Sequence, residues 1–270
     1  MIINKMAISS ELLLESKEKI NFDQPLNEIM RTFLRTEFLY KQLLYHQSNL
    51  TDYSVRAAIS TIIEIVNIIS RSGLKNDLIK QFEKQENILL SYKKQPQVDL
   101  ERVDKLFHEI KKTKDELNSE GSELSRNIKE CEFLNAIKHR STIPGGTCIF
   151  DLPDLAYWTN QSKEDLSDGL EEWLKEIRPI CESIIHILWL IRNSNISNNE
   201  VAKGGMFLHE LKKNNNIIMI TVSINKGNNF YPEISAGKHR FTVRFLEWIN
   251  TKNHASQVMD DINFELFLCQ

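Results

Sequence analysis

Long apolar runs are missing from this 270-residue sequence. No stretch approaches the roughly 18–20 residues that span a bilayer. The start, Met1-Ile2-Ile3-Asn4-Lys5-Met6, has no basic segment leading into one, and Leu12-Leu13-Leu14 is flanked by Glu11 and Glu15. Neither a membrane helix nor a signal peptide is expected. An excess of one charge is missing too: 34 Lys and Arg against 37 Asp and Glu leave a net charge of −3. Such a chain has no global attraction to nucleic acid or anionic lipid, so any basic site must be local. The four cysteines, Cys131, Cys148, Cys181 and Cys269, are far apart and form no CxxC. They read as buried, reduced thiols of a cytosolic protein.

Motifs that carry chemistry are also scarce. His108-Glu109-Ile110-Lys111-Lys112 and His209-Glu210-Leu211-Lys212-Lys213 begin like HExxH. Both put lysine where the second zinc-binding histidine is required. There is no GxxxxGK[ST], no GxGxxG after a strand and no GxSxG. Gly145-Gly146 follows a proline and reads as a turn, and His186, inside an apolar helical stretch, reads as a core histidine. No catalytic residue, metal or cofactor is expected.

What is present is helical periodicity followed by strand alternation. Asp23-Gln24-Pro25 reads as a helix start, with Leu26, Ile29, Met30, Phe33, Leu34 and Phe38 at helical spacing up to about His46. Thr51-Asp52 caps a second, almost wholly apolar helix that Arg71-Ser72-Gly73 ends. Further helices run from about Lys75 to Lys93, from Asp99, and from Glu123 to Arg140. After Ile143-Pro144-Gly145-Gly146, Thr147 to Asp151 reads as a strand and Leu152-Pro153-Asp154 opens a helical turn. Ser162-x-x-Asp165 caps a helix that Pro179 interrupts, Ile180 to Arg192 forms a separate core helix, and Asn193 to Asn199 is a polar loop.

From Gly205 the period becomes two, predicting strands at 206–211, 217–224, 231–235, 239–245 and 262–268. Lys226-Gly227-Asn228-Asn229 and Ala236-Gly237 fall where hairpin turns belong. The expected fold class is α+β: a helical bundle domain followed by a mainly antiparallel β-sheet domain. The expected boundaries are a variable amino-terminal extension at 1–18, a helical domain at 24–142 with the helices of 153–193 packing on it, and a β domain built from 19–23, 143–152 and 204–270. The early strands near Ile20 and Thr147 are expected to return to its sheet.

One strand stands out. In Lys238-His239-Arg240-Phe241-Thr242-Val243-Arg244-Phe245, Phe241, Val243 and Phe245 fall on one face and Lys238, Arg240, Thr242 and Arg244 on the other. Its cations recur about 7 Å apart per two residues. The apolar face needs a core, and the basic face is available to an anionic partner or simply to solvent. One reading of the strand is a single-stranded nucleic-acid binder that uses 238–245 with Phe230, Tyr231 and His239 as stacking partners; the slightly acidic chain as a whole argues against it.

Several blocks share a further feature. Pro25-Leu26-Asn27-Glu28 followed by Met30-Arg31-Thr32-Phe33-Leu34-Arg35-Thr36-Glu37-Phe38 resembles the first helix of the ZapD family of bacterial cell-division proteins. So do Ile143-Pro144-Gly145-Gly146-Thr147-Cys148-Ile149-Phe150-Asp151-Leu152-Pro153, the run Tyr231-Pro232-Glu233-Ile234-Ser235 leading into His239 to Phe245, and Ile262-Asn263-Phe264-Glu265-Leu266. They occur in family order from about residue 19 to the end. The resemblance implies a non-enzymatic, cytoplasmic homodimer with a helical and a strand domain. It implies binding to the C-terminal tail of the tubulin-like division protein FtsZ and bundling of its filaments at midcell. It places Arg240 and Arg244 in the tail-binding surface, with Arg71 just after the second helix; Lys238 is added from its place on the same strand face. In some members of the family it resembles, a basic residue in the helix before IPGG and a histidine shortly after FDLP are added. Here those positions are Glu132 and Ala156, which narrows the implied patch.

Overall fold

The computed structural model describes residues 18–71, 73–93, 99–119, 126–193, 197–211, 216–237 and 239–270. The expected extension, up to residue 17, lies outside them. The described elements are β1 (Lys19–Pro25), α1 (Glu28–Gln47), α2 (Asp52–Ile69), α3 (Leu74–Tyr92), α4 (Leu100–Ser119), α5 (Arg126–Glu130), α6 (Glu132–Arg140), α7 (Pro153–Thr159), α8 (Lys163–Asn193), then β2 (Asn198–Ala202), β3 (Met206–Glu210), β4 (Met219–Asn225), β5 (Phe230–Ala236), β6 (Arg240–Glu247), β7 (Ser256–Gln257) and β8 (Ile262–Cys269). The fold is α+β: β1 comes first, the helices follow, and the other antiparallel strands come after them. Two compact units divide the chain: one holds the residues up to Leu34 together with Leu188–Gln270, the other Arg35–Ile187. Among the described residues no single helix is long and apolar enough to cross a membrane.

In the strand unit, the sequence's single antiparallel sheet resolves into two. One has the order β1-β4-β8-β2; the other has the order β3-β6-β5, with β7 also pairing β6. Phe241, Val243 and Phe245 of β6 share one core with Ile220, Val222 and Ile224 of β4 and Ile262, Phe264 and Leu266 of β8. The Phe245 and Phe264 rings lie 5.3 Å apart. Each such buried side chain contributes about 1.5–3 kcal/mol. The alternation predicted for β6 is therefore what orients it: odd positions enter the core and even positions 240–244 leave it.

Three readings near these strands change. Lys226 to Asn229 joins β4 to β5, strands of different sheets, so it is no hairpin turn; Gly227 nonetheless supplies a left-handed φ of 91°. Residues 198–202, read as part of a polar loop and the stretch after it, form β2 against β8, because Asn198, Asn199 and Glu200 lie on an exposed edge strand with no apolar alternation to advertise it. Pro25 ends β1 instead of opening α1; the helix cap is Asn27, whose Oδ1 accepts from the Met30 amide at 2.8 Å. That releases Asp23 for a different task. Its carboxylate accepts from Thr221 at 2.5 Å and from Arg192 at 2.6 Å, tying β1, β4 and the last turn of α8 together.

The helical unit follows the sequence more closely. Thr51 caps α2 (Ser54 amide to Oγ1, 3.3 Å) and Gly73 turns left-handed with φ 96°. Ser162 Oγ accepts from the Asp165 amide at 3.1 Å. Pro179 does not separate two helices: α8 runs through it from Lys163 to Asn193. A proline removes one amide donor and bends a helix, but packing on both sides can carry the helix past it, and Leu174, Ile177, Ile180 and Ile184 are all buried. The strand expected at 147–151 is instead a run of turns within this unit. The Cys148 amide bonds Gly145 O at 3.0 Å and the Leu152 amide bonds Cys148 O at 2.9 Å. The apolar Ile149 and Phe150 that suggested a buried strand are exposed. Burial lowers the His186 pKa to about 4; the ring packs on Phe82 with Thr113 Oγ1 3.4 Å from Nδ1.

Candidate functional site

β6 is the central strand of its sheet, and its outer face is read in rows across three strands. Glu210 of β3 lies opposite Arg240. Leu208, Thr242 and Ser235 form the next row, and Met206, Arg244 and Glu233 the one after. Inner-face packing of Phe241, Val243 and Phe245 holds the backbone, so Arg240 and Arg244 project from a rigid support about 13 Å apart. Both are exposed.

Their environments differ. Arg244 Nη2 is 2.5 Å from Glu233 Oε2, with the two side chains 47% and 55% exposed. An ion pair that open is worth about 0–1 kcal/mol, so it holds the guanidinium loosely. Arg240 makes no ion pair among the described residues although Glu210 faces it in register. The face is thus not a ladder of cations alone: among the described residues two arginines share it with two glutamates and with exposed Met206 and Leu208. Sequence reasoning missed these four because their strands' register to β6 is not written in either segment; the alternation of Met206, Leu208 and Glu210 is the signal that was there.

Of the other site residues, Lys238 lies outside the described residues. Arg71 is exposed in the helical unit, its amide bonding Ile68 O at 3.2 Å just past the end of α2. The structure therefore brings Arg240 and Arg244 together on one strand. Arg31 pairs with Glu28 at 3.2 Å on the surface of α1. For the nucleic-acid reading, Phe230 is turned onto the core ring of Phe245 at 5.7 Å, edge to face, which removes one of its three stacking surfaces.

Elsewhere the shifted ionisations belong to packing. Burial pushes the Tyr40 phenol and the Cys181 thiol up, and raises Cys269 to about 11. Glu171 is held below its ordinary range by the Arg178 guanidinium, which grips it at 2.7 and 2.8 Å. His108 bonds back to its own helix at Asp104 O and His209 lies in a strand. A cavity of about 350 Å³ between α5, α6, α7 and α8 is lined by Phe133, Trp158 and Trp173 with Glu172 and Glu176.

Together these features define an α+β protein that displays arginines from the central strand of an antiparallel sheet. The ZapD family, described as a cell division protein, matches residues 34–244. A cell division protein ZapD of Aromatoleum aromaticum is 31% identical over 252 residues, covering 93% of this chain and 97% of that one. Proteins of the same name from Coxiella burnetii and Serratia proteamaculans are 31% and 30% identical, covering 93% and 92% of this chain and 98% and 96% of their own. The chain belongs to the ZapD family of cell division proteins.

Proposed function

We propose that this protein is a non-enzymatic division factor that binds the C-terminal tail of FtsZ and, as a homodimer, cross-links FtsZ filaments to promote Z-ring assembly at midcell in the cytoplasm. The observation that carries this reading is the outward projection of Arg240 and Arg244 from a core-anchored strand. Guanidinium groups offer planar, paired donors for tail carboxylates, and a rigid strand fixes their spacing without further ordering cost. Lys238 and Arg71 belong to the same proposal, as further cations for the tail.

Bundling follows from valency. A single exposed site of this kind is weak, but two on a dimer engaging repeated tails along a polymer raise avidity by about 10²–10⁴. Support for a two-fold partner surface comes from the helical unit. Arg56 ties three segments together by bonding Asp52 Oδ1 at 2.9 Å, Thr147 O at 2.8 Å and Thr159 Oγ1 at 3.5 Å. Those segments expose Tyr53, Ile149, Phe150 and Tyr157, each at least 70% accessible. Large apolar side chains held out by a rigid node suit an isologous contact.

The test is co-sedimentation of FtsZ filaments. Bundles are expected with the intact protein, to disappear when the FtsZ tail is deleted, and to weaken strongly with Arg240→Glu or Arg244→Glu. Unchanged bundling by folded versions of both variants removes these arginines from the site; a salt-sensitive gel shift with single-stranded RNA favours the nucleic-acid reading instead.

A further inference from the structure

The second sheet has two edges, and they are finished differently. On β5, the bonds from the Gly237 amide to Arg240 O and from the Trp248 amide to Asn229 O fix the pairing phase. Odd residues of β5 bond β6, and even ones face outward. Pro232 occupies an outward position, so this edge lacks a donor where an incoming strand would need one. On β3, the Phe245 amide bonds Gly205 O and the Leu211 amide bonds His239 O. Phe207 and His209 are thereby committed to β6, and Met206, Leu208 and Glu210 face away. The Met206 amide is occupied by Lys203 O. The amide and carbonyl of Leu208 and the amide of Glu210 have no backbone partner among the described residues, and no proline interrupts the strand.

This open edge borders the arginine face. The side chains of Met206 and Leu208, about half exposed, stand on the same outer side as Arg240. We infer that the edge of β3 receives an extended, mixed aliphatic and acidic peptide as an added strand. Its main chain pairs with Leu208 and Glu210, its aliphatic side chains cover Met206 and Leu208, and a carboxylate meets Arg240, the cation of this face that no described carboxylate holds. An added strand lies two strand spacings, about 10 Å, from β6, a gap that an arginine and a carboxylate side chain reaching toward each other close. Glu210 works against an acidic partner, so main-chain pairing and the Met206–Leu208 surface carry the affinity and Arg240 the charge preference. The mode is strand addition. It rests on the tail-binding reading above and names how the tail is held.

The test is a backbone scan of the ligand, which leaves the protein untouched. Synthetic FtsZ tail peptides, each N-methylated at one residue, are titrated into the full-length protein alongside Leu208→Pro, Leu208→Ala and Arg240→Glu. Strand addition gives a two-residue period: methylation weakens binding about five- to tenfold at alternate positions and leaves the intervening ones unchanged. Leu208→Pro, which removes an amide that bonds nothing on β6, weakens binding by a similar factor and more than Leu208→Ala. Should Leu208→Pro fail to fold, the peptide scan alone decides. A scan without period, with Arg240→Glu still abolishing binding, overturns strand addition and leaves the arginine site standing. Binding indifferent to both the scan and Arg240→Glu overturns both.

Discussion

Neutralising Glu233 is expected to tighten tail binding. Arg244 is engaged by Glu233 at 2.5 Å across the β5–β6 pairing, so under the proposed function a tail carboxylate competes with Glu233 for it. With both side chains about half exposed, that pair contributes about 0–1 kcal/mol. The Glu233 carboxylate also repels an incoming carboxylate about 7 Å away by roughly 0.6 kcal/mol in a water-like dielectric. Glu233→Gln removes both effects and is expected to gain about 1 kcal/mol, near fivefold in affinity. The same logic ranks the arginines: Arg240→Ala, with no internal carboxylate to release, loses more than Arg244→Ala. Fluorescence anisotropy of a labelled tail peptide measures all three variants, and the Glu233→Gln gain shrinks as salt is raised because exposed charges are screened. If Glu233→Gln leaves the affinity unchanged or lowers it at low salt while Arg240→Ala abolishes binding, Arg244 is not a tail contact and the two-arginine site is wrong.

Two expectations concern the scaffold. The folded His186 pKa of about 4 lies below its ordinary 6.5, so between those values the unfolded state binds a proton that the folded state does not; stability falls as pH drops through that window, by up to about 1.4 kcal/mol per pH unit. His186→Leu should flatten that slope in urea unfolding measured at pH 7 and pH 5, and parallel profiles for both proteins would refute the assignment. Asp23→Asn keeps the shape but weakens the bonds from Arg192 and Thr221; a loss of about 2 kcal/mol, read as a fall of roughly 4–8 °C in melting temperature, is expected, and an unshifted melt would show the carboxylate is not a structural tie.

How much of this was legible in the sequence depended on whether the deciding partner was local. The alternation Arg240-Phe241-Thr242-Val243-Arg244-Phe245 carries its own orientation, and the caps Thr51 and Ser162 act within one turn, so these were read correctly. The stretch 147–151 reads as a strand because Cys148, Ile149 and Phe150 form a short β-prone apolar run, whereas the i→i+3 and i→i+4 bonds of Gly145 and Cys148 close it into turns. Pro179 was given too much weight: its local penalty is real, but the buried residues on both sides of it in α8 are long-range information. Pro25 looked like a helix start because the role of Asp23 depends on Thr221 and Arg192, some 170–200 residues away. The candidate face is half visible in the sequence for the same reason. Arg240 and Arg244 could be named from one strand, but Glu233, Glu210, Met206 and Leu208 join them only through cross-strand register.

The most direct measurement is calorimetric titration of a synthetic FtsZ tail peptide into the unaltered protein and into a folded Arg240→Glu, Arg244→Glu double variant. Saturable binding at one site per subunit is expected in the first and no detectable heat of binding in the second. Equal affinity in both, with the variant's circular dichroism and melting curve unchanged, would contradict it.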